Sequence, residues 1–461
     1  MPPTRDPQGT LRLDGLDLAG LVQEVGTPAY VYDLDAIAAE ARALHQGFEG
    51  AAHLVAYALK ANSAGAVVRT LAREGCGADV VSGAELSLAL ACGVAPENIV
   101  YSGVAKQDGE LDRAIASGIG AVQIESVEEI ARVERRARAL GRTARVSIRV
   151  NPGVDLASVT HAHVATGHDA AKFGIKREDV PAAVRLAEDA SSLELVGMAT
   201  HVGSQFASVD PYVQGARAVF DLVRGLRAAG RLRSMGFVDT GGGFGVPHAR
   251  AKRESGRNEG VPHARAKRES GRNEGVPHAR AKRESGRNED VPRPADFVRA
   301  TRAEQRAYGL EGLSLYVEPG RALVAPHGIL LARVVQPKVT ATGRWLMIDA
   351  GMNDLVRPAL YQARHRIVPL NAVTGATEWV AWRVAGPVCE SSDDFGDHAL
   401  PGEPPSAVAI LDAGAYGYTM ASRYNGRQLP AEVFVSGGRV VGRTQRASVE
   451  SWVEERAKAG G

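Results

Sequence analysis

Residues 53–60 read HLVAYALK, an apolar run dense enough for a strand buried on both faces and closed by a single lysine. Runs of the same kind follow at 77–82 (GADVVS), 98–103 (NIVYSG), 121–126 (AVQIES) and 144–151 (ARVSIRVN). Three more stand at 195–203 (LVGMATHVG), 237–243 (FVDTGGG) and 314–320 (SLYVEPG). Between them lie helical patterns such as SVEEIARVERRARAL at 126–140, where Ile130, Val133 and Ala137 repeat at helical spacing. Eight strands alternating with helices predict an α/β fold, a (β/α)8 TIM barrel. The competing open doubly wound sheet wants a Gly-rich dinucleotide turn after an early strand, and the sequence has none.

Beyond about residue 325 the texture changes. Stretches 328–339, 344–350, 380–388, 407–413 and 431–441 read as strands between Gly/Pro turns, with little helical pattern. This predicts a C-terminal all-β domain. The expected division is an N-terminal segment, 1–34, joining the β domain through a strand at 29–32; a barrel, 35–320; and the β domain, 321–461.

The chain has 461 residues, 44% hydrophobic and 23% charged, which excludes disorder throughout. No apolar run is long enough for a membrane span, and the opening MPPTRDPQGT lacks the apolar core of a signal peptide. Three cysteines form an odd, sparse set, which suggests a reducing, cytoplasmic setting. The net charge of +2 conceals a repeat: GVPHARAKRESGRNE occurs three times in tandem, at 245–259, 260–274 and 275–289. Two extra copies account for 30 residues and a net charge of +4, so a 431-residue chain without them would carry −2. Basic character is thus local to the repeat, which lacks aromatics to stack on bases, and no nucleic-acid partner is expected. Its composition cannot bury a core, so it reads as a mobile loop inserted in the barrel.

Barrels of this kind gather their chemistry at the C-terminal ends of the strands. There the first strand ends in Lys60, the second reaches Asp79, and the sixth runs into His201 and Ser204. The seventh ends in Gly241, Gly242 and Gly243, and the eighth in Glu318, Gly320 and Arg321. A lysine partly desolvated at a barrel mouth is expected to have a lowered pKa, freeing the amine for a Schiff base. The glycine run would let backbone amides approach an anion, although it fits neither a dinucleotide fingerprint nor a nucleotide P-loop. His161, His163 and His168 lack carboxylate or cysteine partners at ligand spacing, so no metal is expected. Cys389 and Glu390 have polar, Gly/Pro-rich flanks that favour exposure in a site, whereas Cys76 and Cys92 read as packing residues. Arg357, Tyr361 and Tyr416 place single polar groups in the β region.

In order along the chain stand YALKAN (57–62), HVGSQ (201–205), GGGFG (241–245), EPGR (318–321), RPALY (357–361), CESSD (389–393) and AGAYGYTMASRYNGR (413–427). Together they resemble the diaminopimelate decarboxylases, of the alanine-racemase-like barrel class of pyridoxal-phosphate enzymes, over residues 25 to 450. The first four motifs are shared with ornithine and arginine decarboxylases; the last three point more narrowly. The resemblance implies decarboxylation of meso-2,6-diaminopimelate to L-lysine and CO2, the last step of lysine biosynthesis, with pyridoxal 5'-phosphate as cofactor. It implies that Lys60 holds the cofactor covalently and that His201 stacks on its ring. Ser204, Gly241–Gly243 and the backbone at Gly320 would bind its phosphate, and Glu318 would pair with its ring nitrogen. Asp79 and Arg321 join the cofactor-binding set. Arg321, Arg357 and Tyr361 would bind the carboxylate that is retained, and Tyr416 would touch cofactor and substrate. Cys389 would donate the proton and Glu390 would bind the distal ammonium group, both reaching across a homodimer interface from the partner subunit. The alternatives are decarboxylation of ornithine, arginine or carboxynorspermidine, or a non-catalytic relative. Two departures from the family pattern stand out: Arg423, where a small or amide residue is usual, and the repeat directly after the glycine run.

Overall fold

The computed structural model describes residues 3–153, 172–246, 291–371 and 378–458. The repeat from residue 247 onward, with the expectation of a mobile loop, and His161, His163 and His168 lie outside the described residues.

All eight expected barrel strands form: His53–Ala58, Gly77–Val80, Ile99–Tyr101, Ala121–Ile124, Ala144–Asn151, Leu193–Thr200, Phe237–Asp239 and Ser314–Val317. Each pairs in parallel with its neighbours, and the sheet closes where Leu315 and Val317 of the eighth stand opposite His53 and Val55 of the first. The strands read as continuous apolar runs because both faces are covered, by helices outside and by side chains inside. Gly77–Val80 and Ala121–Ile124 are accordingly buried at every position.

Helix Val127–Ala139 shows how the connections are specified. Ser126 caps it by accepting from the Glu129 amide, with Glu128 and Glu129 in the first turn and Arg136 and Arg138 in the last. That order opposes the helix dipole at each end. Ile130, Val133 and Ala137 are buried, the stripe that the spacing predicted.

A second, nine-stranded sheet is built around the long strand Gly328–Thr340. This strand pairs antiparallel with Gly343–Ile348, Ala407–Ile410 and Ala29–Asp33. Ala29–Asp33 is buried along its whole length and pairs on its other edge with Ala431–Ser436. The early strand therefore lies inside the C-terminal sheet.

Three readings of the C-terminal part need correction. Residues 431–441 form a hairpin, Ala431–Ser436 and Arg439–Arg443, because Gly437 and Gly438 at positive φ turn the chain. Two strands were missed, Ile367–Pro369 and Asp394–Pro401. The first is too short for periodicity, and the second, DFGDHALP, has no β-branched residue to mark it. Helices also form at Arg357–Tyr361 and Val449–Lys458.

At the opposite end of the barrel from the C-terminal strand ends, three side chains form a directional chain. His53 Nδ1 lies 2.7 Å from the Ala51 carbonyl, so that nitrogen carries the proton. His53 Nε2 must then accept from His45 Nδ1, 2.8 Å away, leaving His45 Nε2 to accept from the Cys76 thiol. Burial, helped by His53 and opposed by Glu74, lowers the His45 pKa. A histidine whose folded pKa is depressed contributes stability above its unfolded value near 6.5 and loses it as pH falls. The unfolding temperature is expected to drop between pH 7 and pH 5.5. A His45→Gln chain should show a flatter profile, and an unchanged slope would remove His45 from the account.

Candidate active site

The C-terminal strand ends open onto a cavity of about 790 Å³. It brings together Lys60, His201, Ser204, Gly243, Glu318, Gly320, Arg321, Arg357, Tyr361 and Tyr416 from the expected set. Phe173, Gln205, Phe244 and the loop 362–364 complete much of its wall.

Lys60 sits in the turn Leu59–Ala61 just past the first strand, and its Nζ donates to Asp79 Oδ2 at 2.7 Å. Asp79 is fully buried, while 36% of the Lys60 side chain remains accessible through the cavity. Burial pulls the lysine pKa down, but the charge of Asp79, aided by Glu318, Tyr416 and the Asp79 hydrogen bond, outweighs it. The net shift is upward, which corrects the expectation of a lowered pKa. Lys60 is held as an ammonium ion by its neighbour on the second strand.

Glu318 is buried, and its Oε1 accepts from Gln123 Nε2 at 2.9 Å and from Ser102 at 3.3 Å. Gln123 also reaches Asp239 at 3.4 Å. Burial, then repulsion from Asp239 and Asp79, pushes the Glu318 pKa well up. Burial also raises Asp239 to about 7, against the Gly241 amide that it accepts. The barrel thus holds Asp79, Asp239 and Glu318 close together, with the Lys60 ammonium and Arg149 as the cations that favour their ionised forms.

His201 stands beside this group with a strongly depressed pKa, from burial first and then Arg149 and Lys60. Its Nδ1 accepts from the Gly242 amide at 3.1 Å, so the neutral ring carries its proton on Nε2. The 3.7 Å approach of Nδ1 to Glu318 is therefore not an ion pair.

The glycine run needs a second correction. The Gly241 and Gly242 amides are spent on Asp239 and His201, and only Gly243 lines the cavity. Glycine is required at 242 because a Cβ there would stand 2.0 Å from the Glu318 carbonyl. Gly241 and Gly243 also have positive φ. The run lets the sixth, seventh and eighth strand ends approach one another, with Gly243 and Ser204 left lining the cavity.

On the other side of the cavity, the Arg321 guanidinium lies over the Tyr416 ring, 4.7 Å from its centroid, with Nε and Nη1 unpartnered among the described residues. Arg357 is buried on the short helix Arg357–Tyr361, and its Nε is likewise unpartnered. Burial and the charge of Arg321 lower the Arg357 pKa to about 10. Two guanidiniums with donors to spare in one cavity can receive a carboxylate.

Cys389 and Glu390 do not line this cavity. Both are exposed; Cys389 donates its amide to Asn425 at 2.9 Å, and Glu390 accepts from the Tyr424 hydroxyl at 2.6 Å. Cys76 and Cys92 are buried, as packing residues should be. Arg423 pairs on the surface with Glu455. The supporting groups Ser102, Gln123, Arg149 and Asp239 were missed. A signal existed: a glutamine in AVQIES and an arginine in VSIRVN interrupt apolar strands, and buried polar groups must be paired.

A closed barrel with a lysine, a buried acid and a neutral histidine at its mouth is the setting in which the profile of one class, the barrel-type pyridoxal-dependent decarboxylases, matches this chain. The profile of that class, described as "Pyridoxal-dependent decarboxylase, pyridoxal binding domain", matches residues 34–291. The chain belongs to the diaminopimelate decarboxylase family. It is 36% identical to the diaminopimelate decarboxylase of Zymomonas mobilis, over 98% of this chain and 97% of that one. Among solved structures, the Helicobacter pylori diaminopimelate decarboxylase complexed with L-lysine superimposes with a TM-score of 0.81 at 32% identity, covering 96% of this chain and all of that one. The M. jannaschii enzyme in complex with L-lysine gives 0.84 at 32%, over 98% and 97%.

Proposed function

We propose that this chain removes one carboxylate from meso-2,6-diaminopimelate, releasing CO2 and L-lysine, with pyridoxal 5'-phosphate as cofactor. The observation that carries the reading is the single cavity that joins Lys60 and Glu318 to Arg321 and Arg357. One end suits an aldehyde-bearing cationic ring and the other a carboxylate. The residues fit that cofactor on physical grounds. Among the described residues no lysine or arginine forms an ion pair with the buried Glu318 carboxyl, whose ionised form Lys60 and Arg149 favour only through space, and a ring N–H⁺ would supply a direct partner. Lys60 reaches the cavity, and Gly243 with Ser204, which also line it, would bind the phosphate.

When bound, the cofactor takes up the electron pair left as the Cα–CO2⁻ bond breaks. The protein supplies the rest. Asp79 holds Lys60 in place through its Oδ2. Glu318, fixed by Gln123 and Ser102, would hold a proton on the cofactor's ring nitrogen. Neutral His201 would offer its ring to the cofactor without adding charge. Arg321, Arg357 and Tyr361 hold the retained carboxylate, which leaves the other carboxylate as the one lost. CO2 and lysine formed mole for mole from the meso compound are the test.

Cys389 and Glu390 lie away from the cavity of their own chain, and the reading gives them to the site of a second copy in a homodimer. Cys389 then donates the proton to the product carbon and Glu390 receives the distal ammonium. Lys60→Ala and Cys389→Ala chains should each be inactive, the latter by about 10²–10⁴-fold. Mixed dimers should recover about a quarter of wild-type activity, since each hybrid rebuilds one intact site. No recovery on mixing would place both residues in one chain's own site. Among the described residues no helix is long and apolar enough to cross a membrane; a cytoplasmic location suits a reaction on a free amino acid and an exposed thiol at Cys389.

A further inference from the structure

We propose that His365 is a positioning residue that aims Arg357 at the retained carboxylate and makes the site selective for ligands that carry one. The proposal rests on the reading of Arg357 given above. His365 and Arg357 are both buried, at 5% and 6% exposure. Arg357 Nη1 lies 3.1 Å from His365 Nε2, and His365 Nδ1 lies 2.9 Å from the Leu411 carbonyl. A guanidinium only donates and a carbonyl only accepts, so one protonation pattern satisfies both contacts. His365 is neutral, with its proton on Nδ1 and its lone pair on Nε2 facing the arginine.

That arrangement does two things. Leu411 follows the strand Ala407–Ile410, and its amide bonds back to the Arg366 carbonyl, so the histidine is tied to the sheet. Through His365 the sheet fixes one edge of a guanidinium carried on a helix of only five residues. The remaining edge, with its unpartnered Nε, is left for a ligand. A carboxylate in place of the imidazole would fix the arginine equally well but would neutralise it. A neutral acceptor orients the cation and leaves its charge for the substrate.

The test is equilibrium binding to the cofactor-loaded full chain of two probes, L-lysine and 1,5-diaminopentane, which is lysine without its carboxylate. His365→Ala should weaken lysine binding about 10-fold, the loss of one hydrogen bond to a charged group. Diaminopentane binding should not change. KM for meso-diaminopimelate should rise with kcat little altered. His365→Gln, whose carbonyl can accept from Arg357, should restore most of the lysine affinity. Should the alanine chain not fold, His365→Asn carries the test, because its short amide can reach Leu411 but not Arg357. It must show the same selective loss. Unchanged lysine affinity, or a parallel loss of both probes, overturns the proposal. If the wild-type chain itself binds lysine no more tightly than diaminopentane, the reading of Arg357 fails and this proposal falls with it.

Discussion

Lys60→Ala is expected to lower kcat by at least about a thousandfold and to abolish any borohydride-stable attachment of pyridoxal phosphate to the protein. The expectation follows from position. Among the described residues Lys60 is the one lysine on the cavity wall, and its Nζ is 2.7 Å from Asp79. Removing it has a structural consequence that must be separated from the chemical one. Asp79 is buried with Oδ1 already unpartnered, and losing Lys60 strips its other oxygen as well. A buried carboxylate left without its cation destabilises the fold. Lys60→Arg separates the effects, because it can keep the ion pair but cannot form the covalent link. Both variants should be inactive, whereas only the alanine chain should lose several degrees in unfolding temperature. Activity within tenfold of wild type in either variant would contradict the role of Lys60.

Glu318→Gln should cost about 10²–10³ in kcat. The amide keeps the oxygen that accepts from Gln123 and Ser102, so the geometry survives. What disappears is the negative charge that keeps the ring nitrogen protonated. The same substitution should make the cofactor-free protein more stable at neutral pH. Burial and the neighbouring carboxylates raise the Glu318 pKa above its unfolded value of 4.5. The folded chain therefore holds more protons than the unfolded one above pH 4.5, and its stability falls as rising pH ionises Glu318. Asp239, raised to about 7, adds to the same slope. Glutamine removes one of the repelling charges. Cofactor-free Glu318→Gln should unfold at a higher temperature than wild type at pH 8, with a smaller gap at pH 5. A variant that is both fully active and less stable would show that Glu318 is packing and not machinery. The acid group that the reaction needs is thus held at a cost to the fold until a cation arrives.

The order of buried strands was legible because a barrel strand is covered on both faces, so HLVAYALK and its seven counterparts announce themselves by apolar density alone. From the strands, Lys60, His201 and Glu318 follow, since each stands within a few residues of a strand's C-terminal end. The protonation of those groups was not legible. Whether Lys60 is lowered by burial or raised by Asp79 depends on a 2.7 Å contact between adjacent strands, and spacing along the chain does not encode it. The glycine run could be read as close approach but not as amides already occupied by Asp239 and His201. His365 is harder still: its meaning depends on the register that sets Leu411 opposite it. Strand Asp394–Pro401 carries no propensity of its own and exists because Trp379–Ala385 offers it an edge.

The most direct measurement is release of CO2 by the pyridoxal-phosphate-loaded protein from meso-diaminopimelate, ornithine and arginine side by side, with lysine assayed in the first reaction. The account predicts CO2 and L-lysine in equal amounts from meso-diaminopimelate, and at least about 10²-fold lower kcat/KM for the other two, which lack a second carboxylate for Arg321 and Arg357. Faster turnover of ornithine or arginine, or CO2 release from none of the three, would contradict it.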